Sequence, residues 1–352
     1  MIVVGIIAFA AAFGLAYGKA RHVDLVAAQP QSSTDIPYVD LYTHPTNGWQ
    51  VRLNESDGQA FAALAVDPAL RRPEPFLAGR AEAAYRAQRP LFVYLTWLLA
   101  AGQAGAVPVA VYLATALSIA ALAVTASVWF GDRGSSPWLG LTVLAVPGVL
   151  SIASGGGPDA LAVFFVLAAI ISVERSYRVP GTHRSRLSVV ATVMLTLAVL
   201  SRETMLLSVA VVTIYEFRRG DRRHALRYAG VPVAVYAAWI SLVHLRYGAW
   251  PFDKPGGLAF FTGLTYWMGT WSPMDWALSA IGFVLAVLAL SEARRTAEGW
   301  IVGAFAVVSF LLGDLVWQRW ENSSRILLPM WLFAALVLIT ARAAARPAEV
   351  TG

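Results

Sequence analysis

Long apolar runs separated by short basic turns dominate the chain. A helix needs roughly 20 mostly apolar residues to cross a hydrocarbon core. Ten runs approach or reach that: Ile2–Tyr17, Val107–Phe130, Trp138–Ser154, Ala160–Val173, Leu187–Leu200, Met205–Phe217, Tyr228–Arg246, Ala277–Leu290, Trp300–Trp317 and Ile326–Ala341. Several are short, which tilt or local thinning of the bilayer can accommodate. No segment shows the alternation of a barrel strand. The pattern predicts an all-α, polytopic transmembrane helical protein of about ten spans, forming one integral membrane domain over 1–352. Leu91–Gly102 is apolar but short, which suits a re-entrant or interfacial helix.

Two hydrophilic stretches interrupt this pattern, a long first loop at 19–106 and an aromatic one at 247–276. Within the first, Asp57–Val66 places Phe61, Leu64 and Ala65 at helical spacing, and Asp67-Pro68 ends the run. Ala81–Gln88, followed by Arg89-Pro90-Leu91, reads as a second helix entering the membrane. The loop is expected to carry two helices lying on the outer leaflet. The aromatic loop holds Trp250, Phe252, Phe260, Phe261, Tyr266, Trp267, Trp271 and Trp276, suited to docking on the bilayer or to stacking on a sugar.

Composition agrees with the membrane reading: 58% of residues are hydrophobic and 14% charged, against about 25% charged in a soluble domain. The absence of cysteine excludes disulfides and thiolate chemistry. The net charge of +6 is mostly arginine in short turns. If Leu91–Gly102 does not span, one side collects Arg133; Arg175, Arg178, Arg184 and Arg186; Arg218, Arg219, Arg222, Arg223 and Arg227; Arg294 and Arg295; and Arg342 and Arg346. By the positive-inside rule that side is cytoplasmic, with both termini, and the two long loops lie outside. Lys19, Arg21 and His22 form a smaller cluster of opposite sense. The first apolar run reads as a retained span rather than a cleaved signal. No run of basic residues interleaved with aromatics points to nucleic acid.

The candidate chemistry then falls on the outer side. Asp57 stands before a helix, where it is either an N-cap or a general base; Glu55 could share that role or tune it. Tyr85, Arg86, Arg89 and Arg325 suit the headgroup zone as anchors, and equally as phosphate ligands. Asp159 follows Gly155-Gly156-Gly157-Pro158, a turn that fits an N-cap or the close approach of a ligand. Ser201-Arg202-Glu203-Thr204 splits two apolar runs so tightly that its charges sit at or just inside the membrane surface, where they are paired or functional. Glu321 flanks the last span among tryptophans. The histidines show no metal spacing, and HExxH, Walker and GxSxG motifs are missing.

The order of these segments resembles the GT-C superfamily of integral membrane glycosyltransferases. The strings that carry the likeness are Ser56-Asp57-Gly58-Gln59-Ala60-Phe61 with Ala65-Val66-Asp67-Pro68; Tyr85-Arg86 with Arg89-Pro90-Leu91; Pro158-Asp159-Ala160-Leu161-Ala162; Leu200-Ser201-Arg202-Glu203-Thr204; and Ser324-Arg325-Ile326-Leu327-Leu328-Pro329. The resemblance implies an enzyme of a bacterial cytoplasmic membrane that moves a hexosyl or pentosyl group, with inversion. The donor would be a polyprenyl-phosphate sugar and the acceptor an extracytoplasmic glycan, lipid or protein. It implies Asp57 as base, with Glu55 nearby. It implies Arg86, Arg89, Arg202 and Arg325 at the lipid phosphate, and Tyr85, Asp159, Glu203 and Glu321 in support. Many relatives have two adjacent acidic residues where this chain has Asp57-Gly58; the likeness leaves room for a divalent metal and calls for no other cofactor. Two alternatives stand beside it: a transporter or flippase for lipid-linked saccharides, and a non-catalytic subunit that keeps the fold.

Overall fold

A computed structural model of the protein describes residues 1–21, 58–71, 80–180, 182–253 and 261–345. The described residues form helices and turns with no strand. In chain order the first helices are α1 (Ile2–Arg21), α2 (Gly58–Val66), α3 (Arg80–Ala87), α4 (Pro90–Leu99) and α5 (Val107–Gly131). After a 3₁₀ segment at Pro137–Ala145 come α6 (Pro147–Gly155), α7 (Asp159–Arg178) and α8 (Thr182–Ser201). A single 3₁₀ turn, Glu203–Met205, leads into α9 (Leu206–Arg218), then α10 (Arg222–Tyr247), α11 (Thr262–Met268) and α12 (Pro273–Ala293). The chain ends with α13 (Ala297–Ser309), α14 (Asp314–Trp317), α15 (Trp320–Ile326) and α16 (Leu328–Ala345).

By length and hydropathy this is a multi-pass membrane protein. Six helices can cross a bilayer, α1, α5 with its preceding turn, α7, α8, α10 and α12, and two bent pairs raise the number to eight. The expectation of about ten is therefore corrected. The run Met205–Phe217 becomes α9 and Trp300–Trp317 becomes α13 plus α14. α9 and α13 have 13 residues each, about 20 Å at 1.5 Å per residue, short of a hydrocarbon core near 30 Å. They pack on each other inside the bundle.

The bent pairs are Pro137–Ala145 with α6, at 68°, and α15 with α16, at 69°. Pro147 opens α6, and a proline at the first turn needs no backbone donor there. The two bends meet. A Cβ on Gly148 would lie 2.3 Å from the Ser324 carbonyl oxygen, so only glycine lets α6 lie this close to α15. Ser151 Oγ donates to the Glu321 carbonyl at 3.1 Å.

The long first loop differs from expectation in one respect. α2 does not lie on a leaflet: Phe61, Ala62, Ala63, Leu64 and Ala65 are all buried, packed with Phe92, Val93, Val107, Val111, Tyr112 and Tyr247 in a second apolar core. Its alanines face other helices rather than lipid, because small side chains allow backbones to approach closely. α4 is ten residues long and too short to span, as the sequence suggested.

At the basic end, four turns are tied together. Arg133 Nη2 donates to Glu174 at 2.7 Å and to Glu298 at 2.8 Å, while its guanidinium lies 3.8 Å over the Trp129 ring. Arg175 holds Asp132 through two bonds of 2.8 Å, and Arg184 holds Asp221 at 2.6 Å. The turns after α5, α7 and α9 and before α13 thus share one end of the bundle, as the arginine sorting requires. Glu298 is buried, so Arg133→Ala strands its charge. The expected loss is about 3 kcal/mol of stability, read as unfolding free energy in detergent micelles, with Arg133→Lys losing less.

Candidate functional site

The opposite half of the bundle brings together residues from four separate segments. Arg89 stands between α3 and α4, where Pro90 at the first helical position fixes the turn. Its guanidinium makes a fork to Glu203, with Nε to Oε2 at 2.7 Å and Nη2 to Oε1 at 2.6 Å. Nη2 also donates to Tyr85 Oη at 3.2 Å. Next to this pair, Arg202 forms an ion pair with Asp159, and Arg325 Nε lies 3.7 Å from the other Asp159 oxygen. Arg89, Arg202 and Asp159 are all buried, at 3%, 4% and 1% exposure. Arg202 Nε finds no hydrogen-bond partner among the described residues, so it can still serve a ligand.

Local structure dictates this convergence. α8 stops at Ser201 and Arg202 takes an extended backbone, which turns its side chain and that of Glu203 in opposite directions. Asp159 opens α7, where free backbone N–H groups stabilise a carboxylate. The preceding loop is held by a 3.2 Å bond from Gly157 N to Thr115 Oγ1 on α5. Gly156 has φ 71°, and a Cβ there would meet Val111 Cγ1 at 2.7 Å and the Gly58 Cα at 3.8 Å. Glycine at 156 therefore lets the Asp159 loop lie against Val111 of α5.

Electrostatics follow from the pairing. Burial pushes the Glu203 carboxyl up, but Arg89 outweighs it and holds the group at about 2. The Arg89 guanidinium also draws the Tyr85 phenol below its ordinary value. α7 and α8, 20 residues each, run between the cluster and the basic end, about 30 Å at 1.5 Å per residue. The charges thus sit about one hydrocarbon thickness from the basic turns.

An apolar groove of about 390 Å³ runs beside the cluster, lined by Pro90, Leu91 and Tyr94 of α4, Leu200 of α8, and Val235, Ala238, Trp239 and Leu242 of α10. Tyr94, Val235 and Leu242 are 37–39% exposed, so the groove opens sideways on the face of the bundle. Its inner end adjoins Arg89 and Arg202 in sequence. Trp239 Nε1 donates to the Ala87 carbonyl at 2.8 Å, and Tyr236 Oη to Gln88 at 3.0 Å. These bonds fasten the α3–α4 junction onto α10.

Of the residues read from sequence, Tyr85, Arg89, Asp159, Arg202, Glu203 and Arg325 come together. Arg86 instead pairs with Glu82 at 2.6 Å along α3. Glu321 contributes its carbonyl to α6, described above. Asp57 and Glu55 lie outside the described residues. Thr115, Gln88, Tyr236 and Trp239 were not singled out in the sequence: Tyr236 and Trp239 are aromatics within an apolar run, Thr115 is one of several hydroxyls in α5, and Gln88 follows α3 among charged residues. Among the described residues no group of three or more His, Asp or Glu side chains is placed to hold a metal.

Compared with protein-family models, curated proteins and solved structures, the chain matches none. The fold and site define a polytopic helical membrane protein with an ion-paired cluster at the end opposite the basic turns and an apolar groove beside it.

Removing one member of a buried ion pair strands the other. Arg89→Met alone is expected to cost about 4 kcal/mol, and Arg89→Met with Glu203→Leu to recover most of it. A double-mutant cycle of unfolding free energies checks this. Gly156→Ala is expected to destabilise by roughly 2 kcal/mol through the strained backbone and the clash with Val111, partly relieved by Val111→Ala.

Proposed function

We propose that the protein is a membrane glycosyltransferase that uses a polyprenyl-phosphate sugar as donor and an extracytoplasmic hydroxyl as acceptor. The observation that supports this reading is the ion-paired arginine cluster, opposite the basic end, beside an apolar groove open on the face of the bundle. Arg89, Arg202 and Arg325 converge on one place, and guanidinium forks suit a phosphodiester anion, which a sugar on a single lipid phosphate carries. The groove suits its hydrocarbon chain.

In this reading the acceptor oxygen attacks the sugar's anomeric carbon from the face opposite the phosphate, giving inversion. Its proton passes to the Asp57 carboxylate, with Glu55 alongside. The bond between the anomeric carbon and the phosphate oxygen breaks, and the electron pair leaves with the polyprenyl phosphate. Fixed guanidinium groups in a low-dielectric site stabilise that developing charge without reorganising. In this reading the arginine-rich far end faces the cytoplasm and the reaction lies on the outer side of a bacterial cytoplasmic membrane.

A second reading, a transporter for lipid-linked saccharides, is favoured by the two broken spans that meet at Gly148 and Ser324. Discontinuous helices around a site within the membrane are a device of transporters. Proteoliposomes carrying a panel of polyprenyl-phosphate sugars separate the two. New glycosidic bonds support the transferase; movement of lipid-linked sugar across the bilayer without bond formation supports the transporter and sinks the first reading. For the transferase, Asp57→Asn is expected to lower turnover on the order of a thousandfold, and Arg202→Gln on the order of a hundredfold. Ala238→Trp, which fills the groove, is expected to raise KM for the lipid donor while sparing folding.

A further inference from the structure

The basic end holds a feature that plays no part in the proposed reaction. α9 ends at Arg218, whose guanidinium lies 5.0 Å over the Trp300 ring at the start of α13. Trp300 Nε1 donates to the Arg294 carbonyl at 2.8 Å, which fixes the ring beside the Arg294–Arg295 turn. Tyr215 meets the same ring edge-on at 5.9 Å. Arg218, Arg294 and Arg295 are all exposed. The nearest carboxylates are committed elsewhere: Glu298 to Arg133 at 2.8 Å, and Glu216 to the Tyr177 hydroxyl. Exposed Glu292 is the opposing charge among the described residues of this turn.

Apolar surface lies directly alongside. Ile214 is 51% exposed, Phe217 53% and Leu226 72%, and Arg222 covers the Phe217 ring at 5.5 Å. A surface that joins rigid guanidinium forks to open hydrocarbon fits an amphiphilic anion. Arg presents paired donors to phosphate oxygens, and stacking on Trp300 removes rotamer freedom before a ligand arrives. A soluble acidic protein segment or a nucleic acid would leave Ile214, Phe217 and Leu226 uncovered.

We propose that Arg218, Arg294 and Arg295, set around Trp300 at the basic end of α9 and α13, form a binding site for an acidic glycerophospholipid. The phosphate takes the arginine forks, and the acyl chains run over Ile214 and Phe217. The site stands independently of the glycosyltransferase reading.

The test uses the full chain in nanodiscs of equal parts phosphatidylglycerol and phosphatidylcholine, with retained lipid counted by native mass spectrometry. The wild type is expected to retain phosphatidylglycerol selectively. A basic side chain near an anionic surface contributes about fivefold in affinity, so R218Q/R294Q/R295Q is expected to lose on the order of a hundredfold in preference. The charge-matched R178Q/R186Q/R223Q, elsewhere on the same face, is expected to lose less than about fivefold. R294Q/R295Q, confined to an exposed turn, gives an intermediate loss and covers the case in which the triple variant misfolds. Equal losses from both triple variants would reduce the effect to general charge and overturn the site, as would unchanged retention by R218Q/R294Q/R295Q. Competition by soluble polyglutamate as effective as that of phosphatidylglycerol would overturn it in favour of an acidic protein partner.

Discussion

The structure turns on one constraint: charges taken out of water must be paired. Desolvating an ion costs several kcal/mol even after relaxation, and here Arg89, Arg202 and Asp159 are buried and Glu203 is partly so. The pairs Arg89–Glu203 and Arg202–Asp159 meet that cost only if four segments keep their register. α3 and α4 must meet at Arg89, α8 must end at Ser201, α7 must begin at Asp159, and α15 must bring in Arg325. Many of the irregular features serve these requirements. The 3₁₀ turn after Arg202 separates two opposed charges, the glycine loop before Asp159 lies against α5, and α15 breaks from α16 so that it can lie against α6.

Broken helices follow from the same demand. A continuous helix satisfies its own backbone, so an interruption within hydrocarbon depth is tolerated only where protein supplies partners or a cavity is lined. At the meeting of α6 and α15 the Ser151 hydroxyl reaches the Glu321 carbonyl, and Gly148 removes the side chain that would hold the two apart.

Much of this was legible in the sequence, and the limits have physical causes. Apolar length located each candidate span among the described residues, but not how far each helix runs; Met205–Phe217 and Trp300–Trp317 gave 13-residue helices, too short to cross. The alanine-rich Gly58–Val66 reads equally as an interfacial or a buried helix, since small residues suit both. Arginine sorting placed the basic turns at one end, and the ion pairs of Arg133, Arg175 and Arg184 join those turns. Residues 85, 89, 159, 202, 203 and 325 were visible as charges or phenols at the edges of apolar runs. Their partners were not, because pairing across 114 residues, as between Arg89 and Glu203, leaves no local trace. Arg86 was indistinguishable from Arg89 in sequence; the helical spacing to Glu82 turned it to a different neighbour.

The two arginine populations differ in what their positions cost. At the basic end most guanidinium groups are exposed or half-exposed, several resting on aromatic faces and Arg175 and Arg184 held by partly exposed carboxylates. Such placement is cheap and follows from orientation in the membrane. In the cluster the same side chain is dehydrated, and an apolar replacement of equal volume would be as stable or more so. Stability alone therefore does not explain why two buried arginines and their carboxylates are kept here. Under the proposed function they are guanidinium groups held in place for the donor's phosphate, a use that would offset their cost to the fold.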